Sequence, residues 1–195
     1  NYVITEHSLT IPNVFNGLKI KGAGASVEDR HPLTDAHIAM ATPRYRGDPL
    51  AWALFVTLKD TGARLSEIVG LEVRDVDPQE RSVTIKPNNI RGLKTKGSHR
   101  TIPLSRRAAE ALQERRQSTE IFPKYAHPRA SDTASAMIMK RLRTVITDRK
   151  ITMHSQRHRV KDKLRDTGCP EGVSMAILGP GSNTLASNYG AGYAL

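Results

Sequence analysis

Leu50-Ala51-Trp52-Ala53-Leu54-Phe55-Val56-Thr57-Leu58 is apolar around almost its whole circumference. A helix of that kind belongs at the centre of a domain, packed on every side. Downstream, Thr61-Gly62 marks its stop, because glycine takes the left-handed position past a helix end without a Cβ penalty. Ala63 to Leu71 restarts as a short helix. Ser82-Val83-Thr84-Ile85 and Arg100-Thr101-Ile102-Pro103-Leu104 read as strands, and Pro103 argues for an edge strand. Pro87 to His99 between them, rich in Asn, Gly and Lys, reads as a mobile hairpin connection. Ser105 caps a helix to about Arg116. Thr133 to Thr147 carries Ala134, Ile138, Leu142 and Val145/Ile146 at helical spacing, an amphipathic helix with a basic outer face. Ser155 to Thr167 is another, closed by Gly168. Pro170 opens the next, which ends at Leu178-Gly179, and Asn183 to Asn188 reads as a last short helix.

Upstream, Pro32-Leu33-Thr34-Asp35 starts a first helix with Thr34 as N-cap, running to about Ala41. Pro43 to Pro49 reads as a loop. Residues 1–30, with Pro12, Asn16-Gly17 and Gly22-Ala23-Gly24-Ala25-Ser26, read as a flexible linker. The first residues, Asn1-Tyr2-Val3, carry neither a methionine nor a basic-then-apolar signal pattern, so the chain is expected to be part of a longer protein. The expected fold is mainly α with a small antiparallel β-sheet, an α+β domain over 31–195 preceded by a linker over 1–30.

The 195 residues suffice for one good core. No run approaches the ~20 apolar residues that span a bilayer. Thirty basic residues against nineteen acidic ones give +11, which points to a polyanionic partner, most often nucleic acid. The charge is clustered: no acidic residue lies between Arg81 and Ala109, while Arg81, Lys86, Arg91, Lys94, Lys96, Arg100, Arg106 and Arg107 are basic. From Lys140 to Arg165, ten basic residues face only Asp148 and Asp162. Arg91, Lys96, Arg100, Arg141 and Arg159 are the candidate DNA contacts. Nine aromatic residues and no stacking motif disfavour RNA. The single cysteine, Cys169, excludes an intramolecular disulfide and a multi-Cys zinc site. With no HExxH, EF-hand loop or P-loop, neither a metal nor any other cofactor is expected.

His154-Ser155-Gln156-Arg157-His158 sets a histidine and an arginine three apart, on one helical face. Tyr189 follows in a Gly-rich segment. Cationic and proton-donating groups plus a phenol fit chemistry on a phosphate. Cleaving a phosphodiester without a metal needs a nucleophile, cations for the non-bridging oxygens and an acid for the leaving oxygen. Arginine suits the second task, since its planar fork grips phosphate bidentately. A lysine on a hairpin suits the third.

In chain order the candidates are Arg64, Lys94 or Lys96, His154, Arg157 and Tyr189. Thr61-Gly62-Ala63-Arg64-Leu65-Ser66-Glu67-Ile68, with Leu71 and Asp75, resembles the first-arginine motif of tyrosine recombinases, the phage integrase family. Leu93-Lys94-Thr95-Lys96-Gly97-Ser98-His99-Arg100-Thr101-Ile102-Pro103-Leu104 resembles the family's lysine turn. His154-Ser155-Gln156-Arg157 resembles its H-x-x-R box, and Ile177-Leu178-Gly179 followed by Tyr189 resembles its Leu-Gly-His … Tyr ending. Asn13-Val14-Phe15-Asn16-Gly17-Leu18-Lys19 resembles the linker placed before the catalytic domain, after a core-binding domain. Each motif is weak alone; together, in order and over nearly the whole chain, they are specific.

The resemblance implies that Arg64 and Arg157 clamp the scissile phosphate, with Glu67 orienting Arg64. It implies that Lys94, favoured over Lys96, is the acid to the leaving 5′-hydroxyl, and that His154 shares proton transfer and phosphate contact. Tyr189, favoured over Tyr193 by its distance from Leu178-Gly179, would attack and form a 3′-phosphotyrosyl link. The partner implied is double-stranded DNA, with a homo-tetramer on DNA, a monomer off it and no membrane. The setting implied is the cytoplasm and nucleoid of a bacterial host, for a phage or genomic-island integrase. The chain departs from the pattern at Pro180, where the family places a His or Trp donor; proline offers neither side-chain donor nor N–H. His158 is the nearby group to compensate. Two alternatives follow: a DNA-binding relative with impaired cleavage, or a type IB topoisomerase-like enzyme. Gln156 stands where the family has an apolar residue.

Overall fold

The computed structural model describes residues 31–89, 99–127 and 129–179. The linker reading of 1–30, most of the hairpin connection, and the short helix at Asn183 to Asn188 lie outside these residues.

Thr34 starts α1 (Asp35–Ala41) by accepting from the His37 backbone N–H at 3.2 Å. The segment from Pro43 to Pro49 is not a plain loop. It holds a one-turn helix, α2 (Pro43–Arg46), with Pro43 in its first turn. Tyr45 anchors that turn: its ring stacks on Phe55 with centroids 4.1 Å apart, and its hydroxyl donates to the Ile138 carbonyl at 2.8 Å. Four residues are too few for a readable helical period, so the burial of one tyrosine decides this turn.

The central helix is α3 (Pro49–Thr61). Asp48 caps it, accepting from the Leu50 and Ala51 N–H groups at 3.0 and 3.1 Å. Ala51, Ala53, Leu54, Phe55, Val56 and Thr57 are all fully buried, as an all-round apolar helix requires. Gly62 ends α3 at φ +64. α4 (Leu65–Val69) follows, shorter than the Ala63–Leu71 expected.

The sheet is antiparallel, in the order β1 (Val76–Asp77), β2 (Ser82–Ile85), β3 (Arg100–Pro103). Val83 pairs with Ile102 and Ile85 with Arg100, so β3 is an edge strand as Pro103 implied. The two-residue β1 is too short to carry an alternation that could be read. Ser105 caps α5 (Arg106–Gln113), accepting from Ala108 N–H at 3.2 Å.

α6 runs over Ala130–Leu142, starting before and ending well before the expected bounds. Arg143 explains the early end. Its guanidinium donates to the carbonyls of Asp148 and Ile151, both at 2.6 Å, and folds the following loop back on the helix. Ile146 is buried within that loop rather than on a helix, so its apolar spacing misled the helix reading. α7 (Ser155–Asp166) and α8 (Glu171–Leu178) lie where the Gly168 and Pro170 signals put them.

α3 touches α2, α4, α5, α6 and α7. The fold is thus mainly α around one buried helix, with β3 and α7 both against α8. No helix among the described residues is long and apolar enough to cross a membrane.

Candidate active site

Gly62 sets up the site. Its left-handed backbone lets the chain reverse within two residues of α3's end, so that Arg64 arrives as the N-cap of α4. The turn also has no room for a side chain. A Cβ on Gly62 would lie 2.8 Å from Leu178 Cδ2 and 2.9 Å from Val160 Cβ.

Glu67 lies in the first turn of α4 and is almost wholly buried. Its Oε2 accepts from the Arg64 backbone N–H at 2.8 Å, and its Oε1 from Arg64 Nη1 at 2.9 Å. This places a carboxylate where it sets the direction of the Arg64 guanidinium. The same carboxylate takes a two-pronged grip from Arg100: Nη2 to Oε2 at 2.8 Å and Nη1 to Oε1 at 3.1 Å. Burial alone would raise the Glu67 pKa; hydrogen bonding and charge from Arg100, then Arg64, reverse this and hold it below its ordinary value.

Arg157 comes from the first turn of α7. Its Nη1 donates to the carbonyls of Gly62 at 3.1 Å and Leu178 at 2.5 Å, and its Nη2 to that of Gly179 at 3.3 Å. The guanidinium therefore ties α7 to the Gly62 turn and to the end of α8. Its Nε–H and a second Nη2–H make no hydrogen bond with the described residues. They form the adjacent edge of the fork, the edge that grips an anion side-on. Burial, then the charges of Arg64 and Arg100, push Arg157 down to about 10, against an opposing pull from Glu67. It stays charged at neutral pH. Three guanidiniums thus lie around the Glu67 carboxylate, two of them bonded to it, in a region where water screens them poorly.

His154 is exposed at the N-cap of α7, and the half-buried His158 meets it edge-on with ring centroids 5.1 Å apart. His154 and Arg157 share the first turn of the helix, the end whose dipole favours negative charge. Gln156, on the same turn, is 3% exposed, and neither amide atom has a hydrogen-bond partner among the described residues. Lys94, Lys96, Arg91, Pro180, Tyr189 and Tyr193 lie outside the described residues.

Arg100 requires a correction. The sequence reading made it a DNA contact within a basic hairpin, yet its side chain is 6% exposed and bound to Glu67. The alternation of β3 is the reason: Arg100 shares the inward face with Ile102. Arg141 and Arg159 are also less available than expected. Arg141 Nη2 pairs with Asp48 at 2.5 Å, and Arg159 pairs with Asp35 at the start of α1.

Comparisons with known proteins bear on the family and the fold. The sequence profile of the phage integrase family matches residues 39–192. The tyrosine recombinase XerD of Mycobacterium leprae (strain TN) is 42% identical over 60 residues, which are 31% of this chain and 17% of that protein. Among solved structures, XerA recombinase superposes with a TM-score of 0.63 at 20% identity, over 78% of this chain and 57% of its own. The Tn1549 transposon integrase, in complex with a circular intermediate DNA, gives 0.66 at 17% identity, over 92% and 67%. The integrase from mycobacterium phage Brujita gives 0.56 at 16% identity, over 89% and 56%. The structures carry the fold, and the chain spans less than two thirds of XerD and of XerA. The profile covers well over half of the chain, and on that ground this protein belongs to the phage integrase family.

Proposed function

We propose that this domain cleaves and rejoins duplex DNA as the catalytic part of a site-specific recombinase, through a 3′-phosphotyrosyl intermediate on Tyr189. The observation that carries the reading is the convergence of three guanidiniums around Glu67. Arg64 and Arg100 both bond to the Glu67 carboxylate, and Arg157 is desolvated beside them within reach of its charge. A phosphodiester seated between Arg64 and the open edge of Arg157 would bring negative charge to these cations. The charge developing on its oxygens in the transition state would be stabilised more than the ground state.

In this scheme Arg64, aimed by Glu67, holds one non-bridging oxygen and Arg157 holds the other. His154 adds a contact at the N-terminus of α7. The Tyr189 oxygen, its proton passing to His154, attacks phosphorus, the P–O5′ bond breaks, and Lys94 protonates the leaving 5′-oxygen, with Lys96 as the rival donor. A later attack by a 5′-hydroxyl on the phosphotyrosyl link reverses these steps, so the energy of the broken bond is conserved and neither a nucleotide nor a metal is required. Duplex DNA as partner is supported by the net charge of +11 and by the DNA present with the Tn1549 integrase. Assembly as a tetramer on DNA, and a cytoplasmic setting, follow from the same reading.

Pro180 favours a second reading, a DNA-binding relative that has lost cleavage, because a missing transition-state donor costs ~10²-fold or more. Relaxation of supercoiled plasmid by the full-length protein separates the two. The recombinase reading expects relaxation at some measurable rate. Tight DNA binding with none would favour the binder.

A further inference from the structure

Arg100 is an arginine on the inward face of an edge strand, opposite Ile85 and alternating with buried Ile102. A charge in that position is costly unless its donors are taken up with good geometry. Two nitrogens face the two oxygens of Glu67. The third, Nε, donates to the Ile177 carbonyl in the last turn of α8 at 2.9 Å. The backbone then passes directly over the guanidinium: a Cβ on Gly179, at φ +79, would lie 3.0 Å from Nη1 and 3.1 Å from Cζ. Together with Arg157 on Leu178 and Gly179, two cations from different elements hold three consecutive carbonyls at the negative end of α8.

We propose that Arg100 is a positioning residue for the attacking segment. It fixes where, and in what direction, the chain leaves α8 on its way to Tyr189. Because Glu67 holds Arg64 as well, one carboxylate places the phosphate-gripping arginine and the exit of α8 in a single frame. The claim rests on the reading of Tyr189 as nucleophile. The arginine fork is essential to it. A lysine keeps the charge, but one ammonium cannot face both Glu67 oxygens in a plane and also reach the Ile177 carbonyl. A displacement of ~1 Å at a reacting atom suffices to cost ~10²-fold in rate.

The test uses Arg100→Lys and Arg100→Ala in the full-length protein, read by amide hydrogen exchange, DNA affinity and single-turnover cleavage of a nicked suicide duplex. For Arg100→Lys, exchange at Leu178 and Gly179 should quicken at least ~10-fold while amides of α3 keep their protection, as local opening requires. DNA affinity should stay within about twofold, because Arg100 is buried, and cleavage should slow by ~10–10²-fold. Wild-type exchange and cleavage in Arg100→Lys overturns the proposal. So does a loss of protection in α3 as large as that in α8, which marks a general folding role. If wild-type protein forms no adduct, the recombinase reading has failed, and exchange at Leu178 and Gly179 still decides whether Arg100 holds the exit of α8.

Discussion

Arg157 Nη1 donates to the carbonyl oxygen of Gly62 at 3.1 Å, joining positions 95 residues apart in the chain. The bond sets the H-x-x-R arginine against the turn that delivers Arg64, so two weak motifs become one site. Its geometry depends on a turn that only glycine fits.

Gly62→Ala is expected to be costly for that reason. It puts a Cβ at φ +64, within 2.9 Å of Val160 Cβ and 2.8 Å of Leu178 Cδ2. Strain at a left-handed position and overpacking each cost ~1–3 kcal/mol. Urea denaturation should show a loss of ~2–5 kcal/mol, and a loss below ~0.5 kcal/mol would contradict the packing described.

Glu67→Gln leaves Arg100 buried without its counter-charge, and should destabilise by ~3–5 kcal/mol at pH 7. The pH dependence has a definite sign. The folded-state pKa of Glu67 lies below its unfolded value of ~4.3. Its contribution is therefore complete above ~4.3 and is lost as pH falls through the folded pKa. The gap between wild type and Glu67→Gln should narrow on acidification below ~4.3. A gap that is constant from pH 7 to pH 3 would assign the loss to packing alone.

Gln156→Leu should stabilise the domain. The amide is buried with neither atom bonded among the described residues, and unsatisfied polar groups cost ~1–3 kcal/mol each. A gain of ~1–2 kcal/mol in thermal or urea unfolding is expected. A loss on substitution would mean that the amide serves the site.

Salt dependence of DNA binding tests where the working cations are. Each phosphate neutralised contributes about −0.9 to the slope of log K against log salt. Arg141 and Arg159 already face Asp48 and Asp35. Arg141→Ala and Arg159→Ala should each leave the slope within ~0.5 of wild type. A shift near 0.9 for either one would restore it as a phosphate contact.

The sequence made the frame legible where local chemistry determined it. The all-round apolar run, the Gly62 stop, the Ser105 cap and Pro170 placed α3, α5 and α8 because each signal acts within a turn of itself. Glu67 was readable beside Arg64 for the same reason, three residues along a helix. Arg100 was not, because its partner is 33 residues away and its role depends on strand register and on α8 closing over it. α2 and β1 are too short to carry a period, and Ile146 sits at helical spacing in a loop shaped by Arg143.

The most direct measurement is covalent trapping by the full-length protein on a nicked suicide duplex, comparing wild type with Tyr189→Phe. Wild type should accumulate a protein–DNA adduct joined through a 3′-phosphotyrosine, and Tyr189→Phe should form none while binding the duplex with unchanged affinity. An adduct of normal yield with Tyr189→Phe would contradict the account at its centre.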